Sequence, residues 1–590
     1  MVSSIVLPWL FFFFFDQESC SFFATAEANT VILRHGTLHG RVIDSSSGVR
    51  VRAFLGVPYG EAPVGDLRFR PPRPKSMLSL HSYNASNLAV SCFGFVDPSN
   101  FSGATMWNPP GALSEDCLNL NIWAPLPPAN ASANGAPSQF AVIVWIFGGG
   151  FYSGSPSLTL YDGTELAARE NVIVVNINYR IGPFGFLYMG GADAPGNVGL
   201  LDQQLALRWI RKHIAAFGGD PERVTLVGES AGAASVAAHL VAPGSRHLFN
   251  NAIVESGTIS NPWATASPSD MERRSEEFAA AVNCSTGTRE QTMTCLRRAT
   301  PELLMTQLFS PKRKFMEFPF VPITEDANFF TDGNVIASLA RGDFKRCPVL
   351  LGTNANEGTY WLPYTLPEWF HLDNLASSNF LTLQEYDDAV AKELNNSYIA
   401  SSLLLHAISE MYMPSDTASP GAGFRDAVGE LLGDFFFSCD VLDTALTLAN
   451  KTSDSMQNPV YLYLFLRRSS ANPWPKWMGV MHGYEIEYVF GRPFSNPALY
   501  EPAEIGQETE IASQVMNSWA NFAKTNNPSY PDSKWSHLTT DGTNPGFELT
   551  KLFTTSTNSV PPSALWERCK FWWNDVKVQR QKGVSRSVAV

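Results

Sequence analysis

The chain is poor in charge and poorer still in basic charge: only 16% of its 590 residues are Asp, Glu, Lys or Arg, with 42 basic against 55 acidic side chains. The net charge of -13 disfavours the phosphate-neutralising surface of a nucleic-acid binder, and it raises the local concentration of a cationic ligand instead. No Pro/Gly/Ser-rich linker, charge run or internal repeat divides the chain, so one large α/β domain with long insertions is expected rather than a string of modules. The apolar run Ile5–Phe15 is too short for a bilayer-spanning helix, which takes about 20 residues. No basic residue precedes that run, yet Ala24-Thr25-Ala26 behind it has the small-x-small form of a cleavage site, so 1–26 is read as a secretory signal peptide.

Cysteine is scarce as well. Of eight, Cys20 leaves with the signal segment, and the remaining seven predict three bridges and one free thiol, with pairings that the spacing leaves open. Six Asn-x-Ser/Thr sequons, at Asn84, Asn100, Asn130, Asn283, Asn395 and Asn450, fit a secreted glycoprotein. The catalytic domain is expected over 27–575. The polar tail 576–590 has neither the apolar stretch of a lipid-anchor signal nor a cysteine, so no stable membrane anchor is expected. Oligomeric state is not legible.

Along the chain, Thr30 to Gly60 alternates apolar and polar residues with glycine punctuation, the pattern of antiparallel hairpins. Continuous apolar runs follow at Ala141–Phe147, Val172–Ile177, Val224–Val227, Ala252–Val254, Val349–Leu351 and Val460–Leu466. Runs of this kind predict buried strands of a mostly parallel sheet, with a helix at Leu201–Ala215 among the elements between them. The stretches from Ser76 to Asn108 and from Pro363 to Thr382 are expected as loops above the strand ends, where binding groups concentrate.

The strongest chemical signal is Gly228-Glu229-Ser230-Ala231-Gly232, between the strand run ending at Val227 and a small-residue helical stretch, Ala231–Leu240. In that context Gly-x-Ser-x-Gly is a nucleophile elbow, a tight turn that presents the serine hydroxyl at the sheet edge. The triple glycine Gly148-Gly149-Gly150 follows a predicted strand, so the N–H groups of Gly149 and Gly150, with that of Ala231, are candidates for an oxyanion hole. His482, in an apolar loop past the last strong strand, is a candidate base, although the same pattern fits a core histidine. Glu357 lies between serine and histidine, in the chain order of α/β-hydrolase triads, and spacing alone equally fits a solvated loop glutamate.

These motifs resemble those of the cholinesterase and type-B carboxylesterase family: the Ser230 pentapeptide its nucleophile signature, Glu115-Asp116-Cys117-Leu118-Asn119-Leu120-Asn121-Ile122-Trp123 its second signature, and His482-Gly483-Tyr484-Glu485 its histidine segment. The resemblance covers nearly the whole chain after the signal segment. It implies an α/β-hydrolase fold, with a large mostly parallel central sheet flanked by helices and long insertions forming a deep gorge. It implies a serine esterase that hydrolyses acetylcholine through acetyl-Ser230, with Ser230, Glu357 and His482 as the triad and no cofactor. It also implies disulfides Cys92–Cys117, Cys284–Cys295 and Cys439–Cys569, with Cys347 free. The substrate-binding residues that it carries over are Trp107 for the choline cation, Glu229 beside the nucleophile, and Tyr152, Trp263, Phe318, Tyr360, Trp361 and Asp97 along the gorge, with Tyr364 and Tyr484 near it.

The chain departs from the family pattern in two places. In the acyl segment Met316 replaces one of two aromatics, so a broader acyl range is expected. At the gorge mouth, Phe95 replaces a tyrosine and Leu308 is aligned with a tryptophan, so weak binding of ligands at the mouth is expected. Two other readings share the fold. One is a general carboxylesterase for neutral esters, with the triad but no cation site. The other is an adhesion protein without a working triad, which the presence of Ser230, Glu357 and His482 disfavours.

Overall fold

The structure, a computed structural model, describes residues 29–577 apart from 35, 77–81, 127–138, 286, 372–379, 395–397, 400, 415–419, 452–457, 532, 540–546 and 556–561. The expected signal segment, the tail beyond 577 and the sequons Asn130 and Asn395 lie outside the described residues. Asn84, Asn100, Asn283 and Asn450 are exposed.

Ten strands form the central sheet: β1 (Arg41–Asp44), β2 (Arg50–Pro58), β3 (Asn119–Pro125), β4 (Phe140–Ile146), β5 (Ile173–Ile177), β6 (Gly219–Glu229), β7 (Asn251–Glu255), β8 (Val349–Asn354), β9 (Val460–Phe465) and β10 (Lys551–Phe553). Their spatial order is β10-β9-β8-β7-β6-β4-β5-β3-β2-β1. The seven from β10 to β5 are mutually parallel, and β3, β2 and β1 continue the sheet antiparallel. β4, β5 and β7 read FAVIVWI, IVVNI and NAIVE and are buried almost throughout, as strands covered on both faces must be. The covering helices include α1 (Val198–His213), α2 (Ala231–Val241) and α3 (Ile505–Thr525).

Most predicted strands recur within a residue or two, but β6 starts at Gly219 rather than Val224. It pairs with β4 through Gly219↔Phe140 before the register shifts to Val224↔Val142. The predicted helix at Leu201–Ala215 is α1, three residues earlier, closed by a 3-10 turn at Ile214–Phe217 and by Gly218 at φ 91°. The N-terminal region holds two hairpins: Thr30–Leu33 pairs with Gly36–His39, and β1 pairs with β2 at the edge of the main sheet. β3, β10 and the 21-residue α3 had not been expected as elements.

The disulfides are Cys92–Cys117, Cys284–Cys295 and Cys439–Cys569. The first closes a loop 25 residues long that carries Trp107, a constraint worth about 3 kcal/mol in the chain-entropy picture. Cys347 is free and buried, and burial pushes its thiol up to about 12, far from a reactive thiolate. Among the described residues, no helix is long and apolar enough to cross a membrane.

Candidate active site

Parallel strands bring their carboxyl ends to one edge, and four chain segments meet there: the glycines after β4, Ser230 after β6, Glu357 after β8 and His482 in the loop beyond β9. Ser230 sits between β6 and α2 at φ 58° and ψ -121°, left-handed backbone that a non-glycine residue holds only under constraint. The constraint is close packing. A Cβ on Gly232 would lie 1.9 Å from the carbonyl oxygen of Ile146, and one on Gly228 would lie 2.5 Å from the Gly232 carbonyl, so neither flank of the turn can carry a side chain. The Ser230 N–H donates to the Glu255 carbonyl at 2.9 Å, which ties the turn to β7.

His482 Nε2 lies 2.8 Å from Ser230 Oγ, and its Nδ1 lies 2.6 Å from Glu357 Oε2. All three side chains are buried, with 4%, 6% and 1% of their surface left for Ser230, His482 and Glu357. The second oxygen of Glu357 is held at its own strand end, where Oε1 accepts from the Asn354 N–H at 2.6 Å and from Thr353 Oγ1 at 2.8 Å. The imidazole is wedged by Phe437 and Trp361, with ring centroids 4.6 and 5.7 Å away. A hydroxyl, an imidazole and a carboxylate in one hydrogen-bonded line can move the hydroxyl proton to Nε2 while the carboxylate fixes the tautomer.

Gly149 and Gly150 have φ of 105° and 59°, and a Cβ on Gly148 would lie 2.6 Å from the Glu229 carbonyl and 3.0 Å from Ser230 Cβ. Gly148 thus passes beside Ser230 at a distance only bare backbone allows, and Gly149 and Gly150 continue the turn with positive φ. Ala231 opens α2, where the first N–H groups have no carbonyl of their own helix to meet.

A cavity of about 960 Å³ opens from this edge. Ser230, His482, Glu229, Gly149, Gly150 and Trp107 line its base, Phe318, Tyr360, Trp361 and Tyr152 its walls, and Asp97 and Tyr364 its outer part. The base has one distinctive corner: a Cβ on Gly483 would lie 3.0 Å from Trp107 Cη2 and 3.6 Å from Glu229 Oε1. An indole and a carboxylate therefore flank the residue next to His482.

The structure departs from the expected lining at Trp263 and at the mouth. Trp263 is not on the cavity surface; it packs behind Phe318 at 5.7 Å and donates its indole N–H to the Phe436 carbonyl at 2.7 Å. Tyr484 likewise backs Trp107, edge to face at 6.4 Å. Leu308, aligned with the mouth tryptophan, is 1% exposed, and its neighbour Phe309, 42% exposed, stands at the mouth instead. Phe309 meets Phe95 and Tyr152 at 5.4 Å each, so the aromatic lip is complete. Phe437, Asn354 and Thr353 are site neighbours that sequence reasoning missed, and Glu485 stands in the histidine segment without a role assigned from sequence.

Glu485 belongs to a cluster of buried carboxyl groups with Glu229, Glu255 and Glu357. Burial first, and then the neighbouring Glu485, Glu357 and Glu255, raise Glu229 well above the usual carboxylate range. Burial and Glu357 push Glu485 up to about 8, against the hydrogen bond from Asn354. Glu485 thus keeps its proton in the folded protein after the unfolded chain releases it near 4.5. The associated stability is complete below that value and is lost as pH rises towards and through about 8. In Glu485→Gln the thermal midpoint should therefore decline less than in wild type between about pH 5 and pH 8. Parallel declines in the two proteins would contradict this.

A strained hydroxyl with a base in contact, at the carboxyl edge of a parallel sheet, marks the class: a serine hydrolase on the α/β-hydrolase fold. A model of the carboxylesterase family matches residues 27–572, and the chain belongs to that family. Similar proteins include acetylcholinesterase 4 of Caenorhabditis briggsae, 44% identical over 493 residues, which are 81% of this chain and 78% of that protein. An acetylcholinesterase of Danio rerio is 38% identical over 92% of this chain and 85% of its own length. A cholinesterase of Mus musculus is 40% identical over 85% and 80%.

Proposed function

We propose that this protein hydrolyses acetylcholine to choline and acetate through an acetyl-Ser230 intermediate. The observation that carries the reading is the Trp107–Glu229 corner beside His482. A quaternary ammonium forms no ordinary hydrogen bond, and a desolvated indole face holds it with about 2 kcal/mol or more. Its positive charge also favours the ionised form of Glu229, against the burial that raises this group in the empty site. The names of the similar proteins point the same way.

With the cation at Trp107, His482 Nε2 takes the Ser230 proton as Oγ attacks the acetyl carbonyl. The electron pair displaced onto the carbonyl oxygen is held by the N–H groups of Gly149, Gly150 and Ala231. Collapse breaks the bond to choline, which leaves with the proton from His482. Water then attacks the acetyl-enzyme by the same relay and releases acetate and the free serine. Tyr152, Tyr360, Trp361 and Asp97 guide the cation inward, and Phe318, backed by Trp263, limits the acyl group.

Met316 lines the same cavity and is flexible where an aromatic would be rigid, which favours a wider acyl range. Butyrylcholine should therefore be turned over at an appreciable fraction of the acetylcholine rate. The signal segment, the four exposed sequons and the three disulfides support a secreted glycoprotein. The test is covalent labelling by an organophosphate, with the labelled peptide mapped, alongside choline release from both esters. Phosphorylation of Ser230 with rapid choline release is the expected result. An unlabelled, inactive protein would favour the adhesion reading, and negligible butyryl turnover would reject the wide acyl range.

A further inference from the structure

Four basic residues, Lys312, Arg313, Lys314 and Lys392, line the outer part of a cavity that is proposed to admit a cation. Two of them have side-chain contacts away from the lip, and the third is fixed there through its backbone. Lys392 pairs with Glu368, Lys314 lies over the Tyr398 ring at 5.6 Å, and the Lys312 backbone N–H is held by Glu277. Arg313 is placed differently. Its Nη1 donates to the Phe309 carbonyl at 3.0 Å and to the Pro311 carbonyl at 3.1 Å, and its Cζ stands 5.2 Å from the centroid of the Phe309 ring. Two backbone anchors thus hold a guanidinium against the aromatic that replaces Leu308 at the mouth. The same ring meets Phe95 and Tyr152 at 5.4 Å each. The acid of this region, Asp97, lines the same cavity, with its Oδ1 accepting the Ser99 N–H at 2.8 Å.

We propose that Arg313 is an internal competitor for cations at this lip, its guanidinium occupying the Phe309 face that an entering aromatic or quaternary cation would cover. This deepens the choline-ester reading and rests on it. An arriving cation must displace a tethered one of the same sign, so it loses both the ring face and the local field. The lip therefore passes substrate inward without retaining it, and inhibition by excess cationic ester is weak. On this proposal the weak binding expected at the mouth has its cause in an occupied aromatic lip, whereas the alignment of Leu308 implies a missing one.

The test is fluorescence titration of the full-length protein with propidium, an aromatic dication, in wild type, Arg313→Leu, Arg313→Gln, Lys312→Leu and Phe309→Ala/Arg313→Leu. Both single Arg313 variants should bind propidium about tenfold more tightly than wild type, and inhibition by excess acetylcholine should emerge in them. Lys312→Leu removes the same charge from the same strip but leaves Phe309 covered, and it should change affinity less than about threefold. The double variant should lose the gain. Organophosphate labelling to one group per chain shows that a variant is folded. Equal affinity in wild type and both labelled Arg313 variants, or a gain in Lys312→Leu as large as theirs, would overturn the proposal. Propidium binding needs no turnover, so failure here is separable from failure of the choline-ester reading, which the wild-type assays decide.

Discussion

Glu357→Gln should lower kcat by about 10³–10⁴-fold on charged and neutral esters alike, with the fold intact. The size follows from the hydrogen bonds at the end of β8. Oε1 of Glu357 accepts both the Asn354 N–H and the Thr353 hydroxyl, and Oε2 faces His482 Nδ1. An amide at 357 has one acceptor oxygen, and the Asn354 N–H, which can only donate, claims it. The NH₂ group then points at Nδ1, which must turn acceptor, and the ring proton moves to Nε2. Nε2 now donates towards Ser230 Oγ and cannot take its proton, so the base is disabled while the shape of the site is unchanged. Steady-state kcat and the rate of organophosphate labelling should fall together, with an unaltered circular dichroism spectrum. A drop of less than about tenfold would show that Glu357 does not set the tautomer.

Trp107→Ala should have a large effect of a different kind. Removing the indole from the Gly483 corner should lower kcat/KM for acetylcholine by about 30-fold or more, the equivalent of about 2 kcal/mol, and lower kcat/KM for its uncharged carbon isostere only a few-fold. The difference arises because the isostere loses apolar contact alone, whereas the onium also loses the ring quadrupole in a site that excludes water. The Cys92–Cys117 disulfide holds this loop independently of the indole, so the variant should keep Ser230 labelling. Equal losses on the two esters would mean that Trp107 packs the loop without meeting the cation.

What could be read from the chain was decided by how local its cause is. The nucleophile turn is legible because its needs fall within five residues: a strand end, two glycines where any Cβ would collide, and a helix start. The buried strands are legible because parallel strands covered on both faces must be continuously apolar. β10, with three residues and no pattern, carries no such mark, and the early part of β6 at Gly219 is visible only through its pairing with Phe140. Depth around the cavity was less legible still. Trp263 and Phe318 look alike as aromatics, and only packing puts one behind the other. At the mouth, a one-residue difference in a loop sends Leu308 into the core and Phe309 to the surface, a register that apolar character alone cannot choose. Phe437 reaches His482 through long-range packing that no local motif records, and Glu485, though inside the histidine segment, shows its coupling to Glu357 only in the fold.

The reading of this protein as a choline esterase is tested by one comparison: kcat/KM of the wild-type enzyme for acetylcholine and for 3,3-dimethylbutyl acetate, measured at the same ionic strength. The expected result is a preference for the charged ester of at least about tenfold, from the onium over Trp107 and the field of Glu229. Equal values for the two esters would leave a serine esterase of the same fold without a cation site, and the acetylcholine assignment would be withdrawn.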